Sequence, residues 1–392
     1  MTGTQGGSGR STAIVAGHIC LDIIPTLGPD PDRRALRPAS LELIGGARLA
    51  VGGCVGNTGI ALERLGLRTV LVGCVGDDAL GDTLVRLVAD AVPSGSALLR
   101  IVPGGATSYS LVFNRPGEDR AILHFPGVNA AFNAGDVPDH ALRDAALLHV
   151  GYPPLMSALV ADGGRELQAL LAAARRAGAI TSLDMANANL QAGETVVDWP
   201  TLLADVLPLV DVFLPSLAEA EGLLRRRVRR ERGGTPSLGS LARLASDFVG
   251  LGVAIAGVKA GEHGLYVRTA SEHRIANVGL GLGAEWADRE LHSTVFATAA
   301  VGTVGAGDTT IAGFLHALLA RRSAEDAVTA ACAVGASSVE APDGTSGVRS
   351  WAQIERRVLD GWRRRAPVPA NGWTGGPDPG LRLGPRDRAN RR

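Results

Sequence analysis

Aromatic residues make up only 4% of this 392-residue chain. That scarcity argues against a stacking platform for single-stranded nucleic acid. Charge of one sign is also missing: 39 basic and 39 acidic residues cancel, so no global field draws the chain to nucleic acid or to an acidic membrane. Cysteines number four, at Cys20, Cys54, Cys74 and Cys332, with no C-x-x-C pair and no metal-ligand spacing. They read as buried reduced thiols of a cytoplasmic protein. The longest apolar run, 248–258, is too short to span a bilayer. Residues 1–10 carry no apolar segment of the secretory kind and read as a flexible leader. No G-x-G-x-x-G follows the first predicted strand, which removes the simplest dinucleotide-binding reading. The histidines His18, His124, His149, His263 and His316 are scattered without ligand spacing.

Glycine, by contrast, is abundant at 52 residues, as tight strand–helix turns require. Hydrophobic residues at 46% suffice for one large domain, or a large domain with a smaller one. Short apolar strands are predicted at 12–16, 69–73, 146–150, 179–184, 211–214 and 253–258. Helices are predicted at 57–67, 79–91, 165–177, 200–206 and 217–230. This alternation implies an α/β fold with a mostly parallel sheet and helices on both faces. Two pieces break it. Strands at 109–113 and 121–125 form a hairpin, and the stretch from Ile23 to Leu49 lacks helical periodicity. Together, over about 23–50 and 107–127, they are expected to build a small β lid. Residues 366–392, with five prolines and a basic end, are expected to be a disordered tail. The run Arg225–Arg230 falls at the end of a predicted helix, where cations suit the dipole, and reads as solvated.

The most informative stretch is Gly305-Ala306-Gly307-Asp308. Three small residues precede an acid that opens a helix, with Ile311, Phe314, Leu315, Leu318 and Leu319 at helical spacing. Backbone N–H groups at such a start bind anions, phosphate above all. A carboxylate there suits proton abstraction better than binding, so Asp308 reads as a general base for phosphoryl transfer. The competing reading is an ordinary helix cap. Four further segments carry polar groups at strand ends. Gly52-Gly53 runs into Asn57, which is placed either to cap a helix or to bond a sugar hydroxyl. Asp22 follows the first strand, at the edge where open sheets bind ligands. Ser216 and Glu219 form a capping box, with a second reading of Glu219 near magnesium or phosphate. Lys259, Gly261 and Gly264 surround a turn that alone says little.

In order and spacing these segments resemble the ribokinase-like carbohydrate kinases, also called the phosphofructokinase-B family, over roughly residues 12–360. The resemblance implies a three-layer sandwich with a mostly parallel central sheet and a β lid, as one kinase domain over 11–365. It implies Asp308 as base, and Gly305, Ala306 and Gly307 as the anion hole. Asp22, Gly52, Gly53 and Asn57 would hold the acceptor. Ser216, Glu219, Lys259, Gly261, Gly264 and Gly344 would border the nucleotide. Glu219 would reach Mg2+ through water. The implied function is ATP-dependent phosphorylation of a hydroxyl on a sugar-like small molecule. The alternatives are a nucleoside kinase of the same fold or a non-catalytic sugar- or nucleotide-binding protein. A homodimer is compatible with the resemblance; nucleic-acid and membrane partners are not expected. Four positions depart from the family pattern: Gly302 for an Asp tied to an activating potassium ion, Ser216 for Asn, Cys20 for Asn, and Val55 for a small residue. The first puts monovalent-cation activation in doubt.

Overall fold

Strand β1 (Thr12–Gly17) explains the layering. Ala13 and Val15 enter one hydrophobic core while Ile14 and Ala16 enter another, because successive side chains point to opposite faces. A strand buried on both faces must be covered by helices on both. The computed structural model describes residues 11–28, 41, 43–93, 95–114, 120–186, 197–231, 234–279, 281–367 and 370–390. Its other strands are β2 (Cys20–Pro25), β3 (Ala47–Gly52), β4 (Arg68–Gly76), β5 (Ser96–Val102), β6 (Tyr109–Phe113), β7 (Ala121–Phe125) and β8 (Ala145–Gly151). They continue with β9 (Ile180–Asp184), β10 (Val212–Phe213), β11 (Ile255–Lys259), β12 (Leu265–Thr269), β13 (Glu290–Ser293), β14 (Thr374–Gly375) and β15 (Leu381–Leu383).

The large sheet runs β14-β15-β13-β12-β11-β10-β9-β8-β1-β4-β5. Its strands are parallel from β11 through β5, and antiparallel from β11 out to β14. The second sheet, β3-β2-β6-β7, occupies the two segments expected to form a lid. Side chains tie it to the body. Arg48 donates to Asp343 at 2.9 Å, Asn114 to the Pro342 carbonyl at 3.0 Å, and Arg120 to Thr303 Oγ1 at 2.7 Å.

The tail departs from expectation. Strands β14 and β15 extend the main sheet, Leu381 is 1% exposed, and Asp387 is fully buried. Asp387 accepts from Arg289 Nε at 3.0 Å and from the Glu290 amide at 2.8 Å. Composition alone weighs a segment against solvent, whereas here a folded edge supplies the partners. The basic run also differs. The predicted 217–230 helix stops at Leu223 because Arg225 turns to a φ of 50°. The arginines beyond it lie in a loop and pair with Asp198, Asp247 and Glu221. The helix predicted over 165–177 is present and runs to Arg176, with a further helical turn from Ser157 set off before it by non-helical backbone at 161–164. The leader 1–10 lies outside the described residues.

Candidate active site

Five parallel strands end at one edge and deliver most of the polar groups there. Asp22 sits on β2, the strand that follows β1, while Tyr152 lies just beyond β8, Asp184 ends β9, Ser216 follows β10, and Lys259 ends β11. Gathering at the carboxyl ends follows from parallel topology, since each crossover returns every strand in the same direction. A cavity of about 930 Å³ opens at this edge. Its walls include Tyr152, Asp184, Ser216, Glu219, Lys259, Gly261, Gly264 and the whole Gly305–Asp308 segment.

The Ala306–Leu319 helix starts at this cavity, with Gly305 in the left-handed region at φ 68°. Amides of its first turn have no intrahelical acceptor; that of Ala306 makes only a long 3.3 Å bond to the Thr303 carbonyl. Asp308 does not cap the helix. Its carboxylate accepts from Tyr152 Oη at 2.9 and 2.8 Å and from Asn57 Nδ2 at 3.0 Å. Burial pushes its pKa up to about 7, aided by the negative Asp184 and opposed by Lys259, Tyr152 and Asn57. A carboxylate poised there is a competent proton acceptor near neutral pH.

Lys259 is the cation of the site. Its Nζ lies 3.1 Å from Asp184 Oδ1, with the two side chains 10% and 2% exposed. A Cβ on Gly307 would sit 3.3 Å from that Nζ, so the ammonium stands beside the helix start. Burial opposes its charge, but Asp184, Glu219 and Asp308 outweigh that and hold the pKa above the ordinary value. Glu219 forms the expected capping box, accepting from the Ser216 amide at 2.7 Å, and also faces the cavity. Burial raises its pKa.

Asp22, Gly52, Gly53 and Asn57 do not border the large cavity; they gather beneath the lid. The helix expected at 57–67 begins at Gly53, so Asn57 sits in its second turn and caps nothing. Its Oδ1 is buried without a partner among the described residues. The paired glycines admit protein rather than ligand. A Cβ on Gly52 would fall 2.3 Å from the Asp22 carboxylate, and one on Gly53, at φ 75°, would fall 2.6 Å from His18 Nδ1. Asp22 is 4% exposed, and burial pushes its pKa up to about 6. Gly344, expected at the nucleotide, instead packs against Asn57: a Cβ there would lie 2.3 Å from Asn57 Oδ1. Residues Cys332, Gly335, Ala336 and Val339 also line the cavity.

Tyr152 and Asp184 were missing from the expected set. Both were findable, since the strand-end rule that singled out Asp22 applies equally after β8 and β9. Tyr152 is held at φ 66°, a left-handed conformation costing on the order of 1 kcal/mol for a residue other than glycine. Its amide bonds the Asp184 carbonyl at 3.2 Å, which fixes the turn and aims the phenol at Asp308.

The model of the pfkB family carbohydrate kinases matches residues 15–351. The chain is 26% identical over 301 residues to a 2-dehydro-3-deoxygluconokinase of Bacillus subtilis, covering 76% of this chain and 83% of the relative. Arabidopsis thaliana ribokinase, solved with ribose and ATP, superposes with a TM-score of 0.64 at 18% identity, over 88% of this chain and 98% of its own. A ribokinase II structure from E. coli, solved with ATP and Mg2+, superposes at 0.65 and 20% identity, over 89% and 99%. At such identities the superpositions speak to the fold.

Proposed function

Because this chain belongs to the pfkB family of carbohydrate kinases, we propose that it transfers the terminal phosphoryl group of ATP to a hydroxyl of a sugar-like acceptor, with Asp308 as the base. One observation carries the assignment. The Asp308 carboxylate turns from the helix it opens toward Asn57 and Tyr152, at the wall of the cavity that Lys259 and the helix start also line. ATP would fill the cavity along Gly261, Gly264 and the Cys332–Val339 face. The acceptor would lie beneath the lid, bonding Asp22 and the free Asn57 Oδ1, with one hydroxyl on Asp308. As that hydroxyl attacks the terminal phosphorus, its proton passes to Asp308 while the bond from phosphorus to the bridging oxygen breaks. Amides of Gly305, Ala306 and Gly307, with Lys259, oppose the charge spread over the transferring group. The lid excludes water, which would otherwise accept the phosphoryl group.

Glu219 and Asp184 suit a magnesium ion, being carboxylates on the wall of this cavity, Asp184 buried and Glu219 half-buried. When bound, Mg2+ would neutralise phosphate charge there. Potassium is a different matter. A Cβ on Gly302 would lie 2.8 and 2.9 Å from the Pro342 and Ala341 carbonyl oxygens, leaving no room for the acid that relatives use. Turnover is therefore expected to be equal in sodium and potassium buffers; a large rise on adding potassium would contradict this. The composition and the scarcity of long apolar stretches suit a cytoplasmic enzyme; among the described residues no helix is long and apolar enough to cross a membrane. Exposed Leu49, Ile122, Leu123 and Phe125 on the lid suit pairing of two copies.

ADP release measured over ribose, fructose, inositols, phosphorylated sugars, keto-deoxy acids and nucleosides tests the reading. Binding of any of them without ADP release would favour a non-catalytic protein. The pH profile gives a second check. Asp308 must be ionised to accept a proton, so kcat/KM should fall as pH drops through about 7. In Tyr152→Phe a donor that favours the charged form is lost, the pKa rises, and the acid limb should move to higher pH. An unmoved limb would show that Tyr152 does not tune the base.

A further inference from the structure

We propose that His18, Cys20 and His124 form a binding site for a borderline divalent transition-metal cation, Zn2+ first among them, at the junction of the lid with the body of the enzyme. His18 and Cys20 are neighbours but for one residue, His124 is distant from both, and this spacing carries no metal signature. Folding sets the Nε2 atoms of His18 and His124 3.1 Å apart, although 106 residues separate them. Cys20 Sγ joins them, and the three ligand atoms all lie within 4.8 Å of one another.

That geometry is close to a coordination sphere. Zinc holds imidazole nitrogen at about 2.0–2.1 Å and thiolate sulfur at about 2.3 Å in a tetrahedral arrangement. Two nitrogens on one such ion stand about 3.3 Å apart, and nitrogen and sulfur about 3.6 Å. The imidazole pair is nearly in place, and the thiol must close by about 1 Å at most. Without a cation, two nitrogens facing each other share a single hydrogen, so one ring must present N–H and the other a lone pair. The remaining His18 nitrogen, Nδ1, is buried with no partner among the described residues, so His124 is the only polar contact of that ring. A cation between the two rings lets both use lone pairs at once. The ring of His124 is already oriented, since its Nδ1 lies 3.1 Å from Ser110 Oγ, as outer hydrogen bonds orient metal-bound histidines. Two imidazoles and a thiolate favour zinc, cobalt or copper over magnesium.

Binding is balanced by loss of one proton: the Cys20 thiol becomes a thiolate bonded to the metal, and its hydrogen leaves to solvent. Three protein ligands leave the fourth position to water. His18 belongs to the body, its amide donating to the Gly151 carbonyl at 3.3 Å and its carbonyl accepting from Val55 at 3.1 Å. His124 lies on β7, the far edge of the lid sheet. An occupied site therefore cross-links lid and body beside Asp22, whose Oδ1 accepts from Cys20 Sγ at 3.4 Å. The proposal does not depend on which acceptor the enzyme phosphorylates.

Titration of the metal-free full-length protein with Co2+ alone tests it. One equivalent per chain should produce the visible bands of tetrahedral cobalt and a thiolate-to-cobalt charge-transfer band, both bleached by Zn2+. Cys20→Ser should lose the charge-transfer band, while Cys54→Ser and Cys332→Ser keep it. His124→Gln should weaken cobalt binding by about 10–100-fold, and Ser110→Ala, which leaves all three ligands intact, by about 10-fold. Thermal melting checks that each variant is folded. Absence of the bands at millimolar Co2+ in folded protein would overturn the proposal, as would bands that survive Cys20→Ser or His124→Gln.

Discussion

Asp308→Asn is expected to lower kcat by about 10²–10⁴, the worth of one positioned general base, while ATP binding stays close to that of the parent. The amide keeps the shape of the carboxylate, so Tyr152 and Asn57 still have an oxygen to bond. Loss of turnover can then be read as loss of the proton acceptor. The acid limb of the pH profile should vanish from the residual activity, because the group pushed up to about 7 by burial and by Asp184 is no longer titratable. Single-turnover measurement with saturating ATP separates this from slow product release. Near-parental turnover would remove Asp308 from the chemistry and with it the anion-hole reading of Gly305–Gly307.

Lys259→Met should act on stability and on rate together. The Lys259–Asp184 pair is buried on both sides, and removing one partner of such a pair leaves an uncompensated charge, at a cost of about 3–5 kcal/mol. Urea unfolding would register this as a lower midpoint. Turnover should also fall by about 10²–10³, the loss seen when one preorganised donor to a developing charge is removed. Asp308 loses the cation that holds its pKa down, so the acid limb of what remains should shift to higher pH. The double variant Asp184→Asn, Lys259→Met separates the two effects. Stability should return in part, because Asp184 no longer strands a charge while Glu219 and Asp308 still lack their cation, and the rate should not return. Parental stability and parental kcat in Lys259→Met together would sink the account of this pair.

Much of the fold was legible because β1, β8 and β9 read as short apolar runs between helices, and runs buried on both faces mean a parallel sheet. The strands β6 and β7 matched their expected limits, since the polar turn between them bounds both. Less visible was β5, an edge strand with little burial to pattern it, and the tail strands β14 and β15, whose stability comes from partners such as Arg289 and Glu290. At the site, Asp308 and the glycines before it stood out because small residues at a helix start have few other uses. Tyr152 did not, since an isolated aromatic after a strand looks like core until its φ of 66° turns it toward Asp308.

What the linear order of residues determined by itself is the chemistry available: an acid behind a run of small residues, strands that must be parallel, and helices that must cover both faces. Those follow from local rules, because a helix start and a side-chain period depend on neighbours a few positions away. Only the tertiary structure decided that Asn57 faces Asp308 rather than capping its helix, that Gly344 packs on Asn57 rather than lining the cavity, that Gly52 and Gly53 make room for Asp22 and His18, and that His18 meets His124. Each of these is a contact between distant segments, fixed by how the helices and the lid pack at the sheet edge, and no spacing along the chain encodes such a meeting.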